Sequence, residues 1–146
     1  MRNAGGVDDV SEYDAIRQIF DETTGTTRHL LTFEGANHNA AAPMPAPDNA
    51  WEISEALGWA PFDHYADAVW DNVRMNNILQ HFATAFLDVH LKGEEDRAEY
   101  LDLVENAGDG VWSVGDDGEP TEDHSYWAGF PNRTAVSLTF ETLAGE

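Results

Sequence analysis

A β-strand pattern flanked by two polar loops is the sequence feature that most constrains how this chain folds. Residues 28–33 read RHLLTF, a short apolar and β-favouring run, and a glycine, Gly35, follows it closely. His38 comes three residues after that glycine, and an acidic loop at residues 5–10 lies upstream. The stretch between the two loops accommodates one helix and one strand. The pattern therefore predicts an α/β fold in which successive strand ends carry an acid and a histidine.

Helical spacing predicts helices on both sides of this strand. Ile16 and Phe20 lie on one face of a helix that precedes it. Apolar residues three or four positions apart predict the longest helix from about residue 62 to residue 91, and Gly93 is a good stop signal for it. A shorter helix is predicted over residues 94–104.

The last part of the chain, residues 105–146, is predicted to be an acidic extension of turns and one strand. Glycines and acids alternate through residues 109–123, which favours turns. Residues 134–143 alternate apolar and hydroxyl side chains, as a half-buried strand does. The apolar face of that strand would hold Val136, Leu138 and Phe140. With no linker visible, residues 1–146 are interpreted as a single, partial domain.

The charge balance excludes several classes of partner. The chain has 28 acidic residues against seven Lys and Arg, for a formal net charge of −21. Such a surface repels nucleic-acid phosphates and anionic membranes. A hydrophobic content of 42% and five tryptophans favour a folded domain over an acidic disordered segment. The scattered acids fit either a plain acidic surface or adaptation to high salt.

The absence of cysteine narrows the chemistry further. It excludes a cysteine nucleophile, a cysteine-based zinc site and a disulfide framework. No apolar run is long enough to span a bilayer, and the first residues do not form a signal peptide. We therefore expect a cytoplasmic protein, with any signal peptide lying upstream of this chain.

Three segments together resemble one enzyme family. The sequence AGGVDDVS at residues 4–11 resembles the acid loop of dienelactone-hydrolase-like α/β-hydrolases, where Gly-x-x-Asp carries the acid. LLTFEGANH at residues 30–38 resembles their final strand and histidine loop, and residues 65–93 resemble their last helix. The resemblance implies the C-terminal portion of an α/β-hydrolase fold. That portion comprises the last strand or strands of the parallel sheet, the acid and histidine loops, the long C-terminal helix and a short β extension.

The resemblance also implies a catalytic role for each loop. Asp8 would be the triad acid, with Asp9 as the alternative, and His38 would be the base. Members of this group act on esters, lactones and related acyl compounds without a metal or organic cofactor. In this fold the serine precedes the acid and the histidine. The chain has no Gly-x-Ser-x-Gly, and Ser113 lies after the histidine in a motif one residue too long. We therefore expect the chain alone to be inactive, with its nucleophile upstream.

Other candidate sites are weaker. Trp51, Trp59 and Phe62 could line an acyl pocket beside the histidine loop, or form a satellite core cluster. Residues 116–119, DDGE, lack the spacing of a calcium loop, so we interpret them as a solvated turn. Three histidines on the predicted long helix are too widely spaced for a helical metal pair: His64, His81 and His90. No metal site is predicted.

Two functions from different classes follow. The first is a fragment of a serine hydrolase that takes a small-molecule ester or acyl substrate, with no nucleic-acid or membrane partner. The alternative is a complete, non-catalytic acidic domain that binds a protein partner or a small ligand. The sequence leaves the oligomeric state open under both.

Overall fold

The computed structural model describes residues 13–36, 48–56, 58, 60 and 69–146. Within these ranges, helix α1 spans Tyr13–Glu22, strand β1 Arg28–Phe33, helix α2 Asn72–Leu87 and strand β2 Leu138–Leu143. Short 3₁₀ helices add Asp48–Trp51, Glu95–Tyr100 and Ala107–Asp109. None of these helices has both the length and the apolar character needed to cross a membrane.

Helix α1 forms where the helical spacing predicts it. Phe20 is only 6% exposed, whereas Ile16 remains exposed. The guanidinium of Arg28 donates hydrogen bonds to the backbone carbonyls of Phe20 and Asp21, the latter at 3.0 Å. A cation at a helix C-terminus compensates carbonyls that have no partner within the helix. Arg28, the first residue of β1, therefore stabilises the C-terminal end of α1 through these hydrogen bonds.

Strands β1 and β2 form an antiparallel pair in which Leu31 lies opposite Phe140. The predicted strand at residues 28–33 is confirmed. Strand β2 begins at Leu138 and not at residue 134, because Arg133 and Ser137 adopt positive φ angles of 65° and 71° that interrupt an extended chain. The described part of the sheet has only these two strands, so the parallel strands expected from the family resemblance stay a prediction.

The two helices pack on opposite faces of the sheet. Arg17 of α1 donates to the Glu141 carboxylate at 2.6 Å, and Glu141 lies opposite Leu30 in the ladder. Phe82 of α2 stacks on Phe140 with a centroid distance of 4.8 Å. Because neighbouring side chains along a strand point to opposite faces, Glu141 and Phe140 mark the two faces. The described elements therefore form three layers, with a helix on each side of the sheet.

Helix α2 has well-defined ends. The Asp71 carboxylate accepts a hydrogen bond from the Arg74 amide at 2.8 Å, which makes Asp71 the N-cap. At the other end the helix widens into a π-helical turn over Asp88–Lys92, and Gly93 ends it with a left-handed φ of 75°. The stop signal at Gly93 is thus confirmed. The helix predicted from about residue 62 is wrong in its first part, because residues 69–71 are not helical and Asp71, with an extended backbone, caps a helix that begins at Asn72. Residues 61–68 lie outside the described ranges.

The core lies between α2, its face of the sheet and the irregular segment over residues 101–137. Trp127 is 1% exposed, and its indole N–H donates to the Val104 carbonyl at 2.7 Å. The Tyr126 hydroxyl accepts from the Ala135 amide at 3.0 Å. Buried polar groups on aromatic side chains usually find such partners. The irregular segment is therefore fixed by hydrogen bonds as well as by apolar packing.

Two predictions about the C-terminal half have different outcomes. The helix predicted over residues 94–104 is only a 3₁₀ turn at Glu95–Tyr100, after which the chain packs Leu101 into the core. The predicted acidic turns are confirmed: a bridge between Val114 and Pro120 closes a turn. Gly118 supplies the positive φ of 83° that this turn requires.

Candidate functional site at the end of strand β1

Most of the predicted catalytic and pocket residues lie outside the described ranges: Asp8, Asp9, His38, Trp59 and Phe62. The remaining one, Trp51, ends the first 3₁₀ helix and exposes 65% of its surface. What the structure does describe is the scaffold immediately before His38. That scaffold is the C-terminal end of β1 and the turn that follows it.

The chain leaves β1 through a tight turn. The Glu34 amide donates to the Ser137 carbonyl at 3.0 Å, and the Ala36 amide donates back to the Phe33 carbonyl at 3.3 Å. Gly35 sits between them with φ of 74°, in the left-handed region that glycine adopts at no steric cost. This explains why a glycine follows the strand. The position from which the chain continues toward His38 is thereby defined.

Trp70 clamps this turn from the other side. Its indole N–H donates to the Glu34 carbonyl at 2.9 Å, and its ring meets Phe33 edge-on at 5.2 Å between centroids. Trp70 is itself only 5% exposed. The guanidinium of Arg74 lies over the Trp70 ring at 5.1 Å and donates to the Thr134 carbonyl. The end of β1, the start of α2 and the C-terminal segment therefore meet at one indole ring.

Trp70 was not predicted as a site residue, although the sequence carries a local signal for it. Trp70 directly precedes the N-cap Asp71, and Met75 lies four residues after the cap. Apolar residues at these two positions form the hydrophobic staple of a helix start. Both side chains are buried in the same core cluster. The staple could have been read from the sequence, but the hydrogen bond to Glu34 could not.

A second candidate site surrounds His81 in the middle of α2. Rings of Phe82, Tyr100 and Phe130 meet the imidazole nearly edge-on at 5.1 to 5.2 Å. Among the described residues Nε2 of His81 is buried with no hydrogen-bond partner, and burial lowers the pKa of this imidazole. A cleft of about 430 Å³ opens beside it, with Asp88 and Arg97 among its lining residues. The arrangement encloses the imidazole in an aromatic cage that disfavours its charged form.

A third feature is an apolar groove between β1 and α2, with a volume of about 410 Å³. His29 of β1 stacks on Phe140 at 5.2 Å and meets Phe86 edge-on at 6.1 Å. Its Nδ1 lies 2.9 Å from the Thr142 hydroxyl. Burial, and then repulsion from His90, lowers the pKa of His29. We refer to this feature as the β1–α2 groove.

The hydrogen-bond partners of Ser113 are those of a structural residue and not those of a catalytic nucleophile. Its hydroxyl accepts a hydrogen bond from the Thr121 hydroxyl at 2.6 Å. The nearby His124 ring places Nδ1 2.8 Å from the Ser113 carbonyl oxygen and 3.2 Å from the Ser113 amide nitrogen. The imidazole therefore contacts the backbone of Ser113.

The chain has few cationic side chains, and most of the described ones form hydrogen bonds or ion pairs. Arg17 donates hydrogen bonds to the carboxylates of Glu141 and Asp21, and these bonds, the one to Glu141 first, raise the pKa of Arg17. The carboxylate of Asp88 lies 2.5 Å from Nζ of Lys92 and raises the pKa of that lysine. Within the described ranges no group of three or more His, Asp or Glu side chains could hold a metal ion. The DDGE segment forms a turn in which Asp117 accepts from the Glu119 amide at 3.1 Å.

Comparison of the chain with protein-family profiles, with curated proteins and with solved structures finds no match.

Proposed function

We propose that this chain supplies the acid and the histidine of a dienelactone-hydrolase-like serine hydrolase that acts on carboxylic esters, lactones or related acyl compounds. His38 is the base and Asp8 the acid that orients it, with Asp9 as the alternative. The nucleophilic serine comes from an upstream part of the parent enzyme. No metal or organic cofactor is needed. The proposal includes a cytoplasmic location, which fractionation of cells expressing a tagged parent protein tests.

The observation that carries the proposal is the layering around β1. Helix α1 leads into β1 on one face of the sheet, and α2 packs on the other face. Helices on both faces of a sheet are typical of α/β enzymes. In the parallel sheet proposed for the parent enzyme, ligands bind beyond the carboxyl ends of the strands. The glycine turn at that end of β1 comes three residues before His38, which supports a catalytic position for this histidine.

The proposed chemistry divides one acyl transfer into two steps. In the first, His38 removes the proton from the serine hydroxyl as its oxygen attacks the acyl carbon, and then gives that proton to the leaving alcohol. In the second, His38 removes a proton from water, whose oxygen attacks the acyl-enzyme, and returns the proton to the serine. The carboxylate of Asp8 fixes the imidazole tautomer and stabilises the imidazolium in both steps.

Within this proposal, Trp70 is a positioning residue. A base must lie within hydrogen-bonding distance of the hydroxyl it deprotonates, and small misplacements cost rate. The indole of Trp70 holds the Glu34 carbonyl at 2.9 Å, four residues before His38. Trp51, Trp59 and Phe62 are proposed to line the acyl pocket, and Trp51 exposes 65% of its surface.

The decisive experiment uses the parent protein encoded when the reading frame is extended upstream of Met1. Hydrolysis of p-nitrophenyl butyrate is measured for His38→Ala, Asp8→Asn and Asp9→Asn. We expect His38→Ala, and one of the two aspartate variants, to lower kcat/KM by about 10³-fold or more. His90→Ala is the control, because His90 is exposed and lies on the π-helical turn.

Two results would refute the assignment. One is an unchanged rate for His38→Ala, and the other is an upstream frame without Gly-x-Ser-x-Gly. The alternative of a complete, non-catalytic acidic domain has one observation in its favour: Trp127 and Leu138 are almost fully buried within the described residues. A monomeric, cooperatively melting 146-residue chain with no effect of upstream residues on its stability would favour that alternative.

A further inference from the structure

The turn at residues 127–130 packs directly on His81 of α2. The Phe130 amide closes this turn by donating to the Trp127 carbonyl at 3.2 Å, and Gly129 occupies its third position with φ of 83°. A Cβ added at Gly129 would lie 2.6 Å from Cε1 and 3.3 Å from Nε2 of His81. Glycine at this position therefore lets the backbone of the turn approach the imidazole closely, and we refer to this feature as the 127–130 turn.

The surroundings of His81 disfavour a charged ring while the turn is closed. Three aromatic rings meet the imidazole at 5.1 to 5.2 Å, and within the described ranges its buried Nε2 has no hydrogen-bond partner. In an imidazolium both ring nitrogens carry a proton, whichever of them carries it in the neutral ring. Protonation would therefore bury a charged Nε2–H donor without an acceptor, which costs free energy. The pKa of His81 is lowered by burial accordingly.

The charged groups around His81 supply no net negative charge to offset this cost. Two clefts, of about 430 Å³ and 380 Å³, adjoin the imidazole, and His81 and Gly129 line both of them. The titratable side chains that line the clefts come from both ends of α2 and from the 3₁₀ turn, and they are Asp71, Arg74, Asp88, Arg97 and Tyr100. Two carboxylates are thus balanced by two guanidiniums. The Asp71 carboxylate caps α2, and the Asp88 carboxylate binds Lys92. The 127–130 turn, WAGF, adds no charged side chain.

We propose that protonation of His81 opens the 127–130 turn, breaking its closing hydrogen bond and letting water reach the imidazole from the two clefts. In the open form the imidazolium donates to water, so its pKa returns to the ordinary value of about 6.5. The open form therefore binds the proton more tightly than the closed form, and a fall in pH shifts the equilibrium toward it. The turn is a pH-sensitive switch that is closed at neutral pH.

Native-state hydrogen exchange followed by NMR tests the switch on the 146-residue chain. The Phe130 amide reports on the turn. The Phe140 amide, which donates to the Glu105 carbonyl at 2.8 Å, reports on unfolding of the core. At about pH 5.5 an imidazole of ordinary pKa is about nine-tenths protonated. After correction for the intrinsic exchange rate, the protection of Phe130 should therefore fall several-fold between about pH 7.5 and about pH 5.5, with about tenfold as the upper limit. Unchanged protection overturns the proposal.

Urea separates opening of the turn from unfolding of the whole chain. The dependence of a free energy on urea scales with the surface that is exposed. Exchange of the Phe130 amide should therefore depend weakly on urea at both pH values, and exchange of the Phe140 amide steeply. If the two amides show the same urea dependence, the turn opens only when the chain unfolds, and there is no separate switch.

His90 provides a matched control variant near the end of the same helical segment. His81→Gln removes the titrating ring, so the pH dependence of Phe130 protection should disappear. His90 is exposed on the π-helical turn, and His90→Gln should retain the pH dependence. A pH dependence that survives His81→Gln, or one that His90→Gln also abolishes, contradicts the assignment to His81.

A titration of the unmodified chain makes the test independent of how the variants fold. The Cε1–H resonance of His81 is followed by NMR as the pH is lowered, and its midpoint should lie below about 6.5. A midpoint above that value would show that the surrounding rings stabilise the imidazolium through cation–π contacts, and it would overturn the switch. None of these measurements uses ester hydrolysis, so the switch and the proposed function are tested separately.

Discussion

Replacing Gly129 with alanine tests the packing of the C-terminal segment on α2. A Cβ at this position would lie 2.6 Å from Cε1 of His81, which is closer than Cβ atoms approach other atoms in real proteins. The backbone φ of Gly129 is +83°. Gly118 offers a matched control. It has the same φ of +83°, but a Cβ there would meet no atom within 4 Å. The two substitutions therefore share the conformational cost and differ only in the steric conflict with the imidazole.

The magnitudes of the two costs can be separated. Holding a non-glycine residue in the left-handed region costs about 1–2 kcal/mol, so Gly118→Ala should lower the free energy of unfolding by that amount. Overpacking adds about 1–3 kcal/mol where neighbours cannot move freely. His81 is held by three aromatic rings. We therefore expect Gly129→Ala to cost about 2–5 kcal/mol in total.

The assay is urea unfolding at one fixed salt concentration, with the free energy obtained by linear extrapolation. The double variant His81→Ala/Gly129→Ala should recover the steric part, because the ring that meets the new methyl group is gone. The resulting coupling energy belongs to the His81–Gly129 contact. Equal losses for Gly118→Ala and Gly129→Ala, or no coupling in the double variant, would refute this account of the contact.

Three further predictions concern pH, the Trp70 clamp and salt. The pKa of His81 lies below its ordinary value of about 6.5. As the pH drops, His81 therefore takes up a proton in the unfolded chain before it does so in the folded one, and the free energy of unfolding falls between about pH 7 and about pH 5. The slope of the unfolding free energy against pH, measured by melting at several pH values, should be smaller for His81→Gln. Trp70→Phe keeps an aromatic ring but leaves the Glu34 carbonyl without its donor, so it should cost about 1–3 kcal/mol by urea unfolding. Trp112→Phe, at a 38% exposed position, should cost less, and an equal cost would argue against the clamp. Raising KCl from about 0.1 M to about 1 M shortens the Debye length from about 10 Å to about 3 Å. With a net charge of −21, the melting temperature should rise, and a level or falling value would show that repulsion among the acids does not limit stability.

The elements that follow from local physics could be predicted from the sequence. Strand β1 lies at residues 28–33 as predicted, because its β-favouring run and the glycine after it act within a few residues. The end of the long helix at Gly93 follows from glycine's access to the left-handed region. The acidic turn around Gly118 has the same cause.

Features that depend on distant residues could not be predicted in this way. The late start of β2 results from positive φ angles at Arg133 and Ser137, two residue types that rarely adopt them. Nothing in the chain near Trp70 indicates that its indole would bind the Glu34 carbonyl. The aromatic cage of His81 combines side chains from α2 with Tyr100 and Phe130, which no helical periodicity brings together.

The amino-acid sequence by itself determined where helix α1, strand β1, the stop at Gly93 and the acidic turn lie, and how acidic the chain is, because spacing, glycine positions and composition are local properties. Only the tertiary structure decided that α1 and α2 lie on opposite faces of β1 and that β2 pairs with one edge of it. Those outcomes depend on contacts such as Arg17 with Glu141 and Phe82 with Phe140. Such contacts join residues far apart in the chain, and they form only when the whole core packs at once.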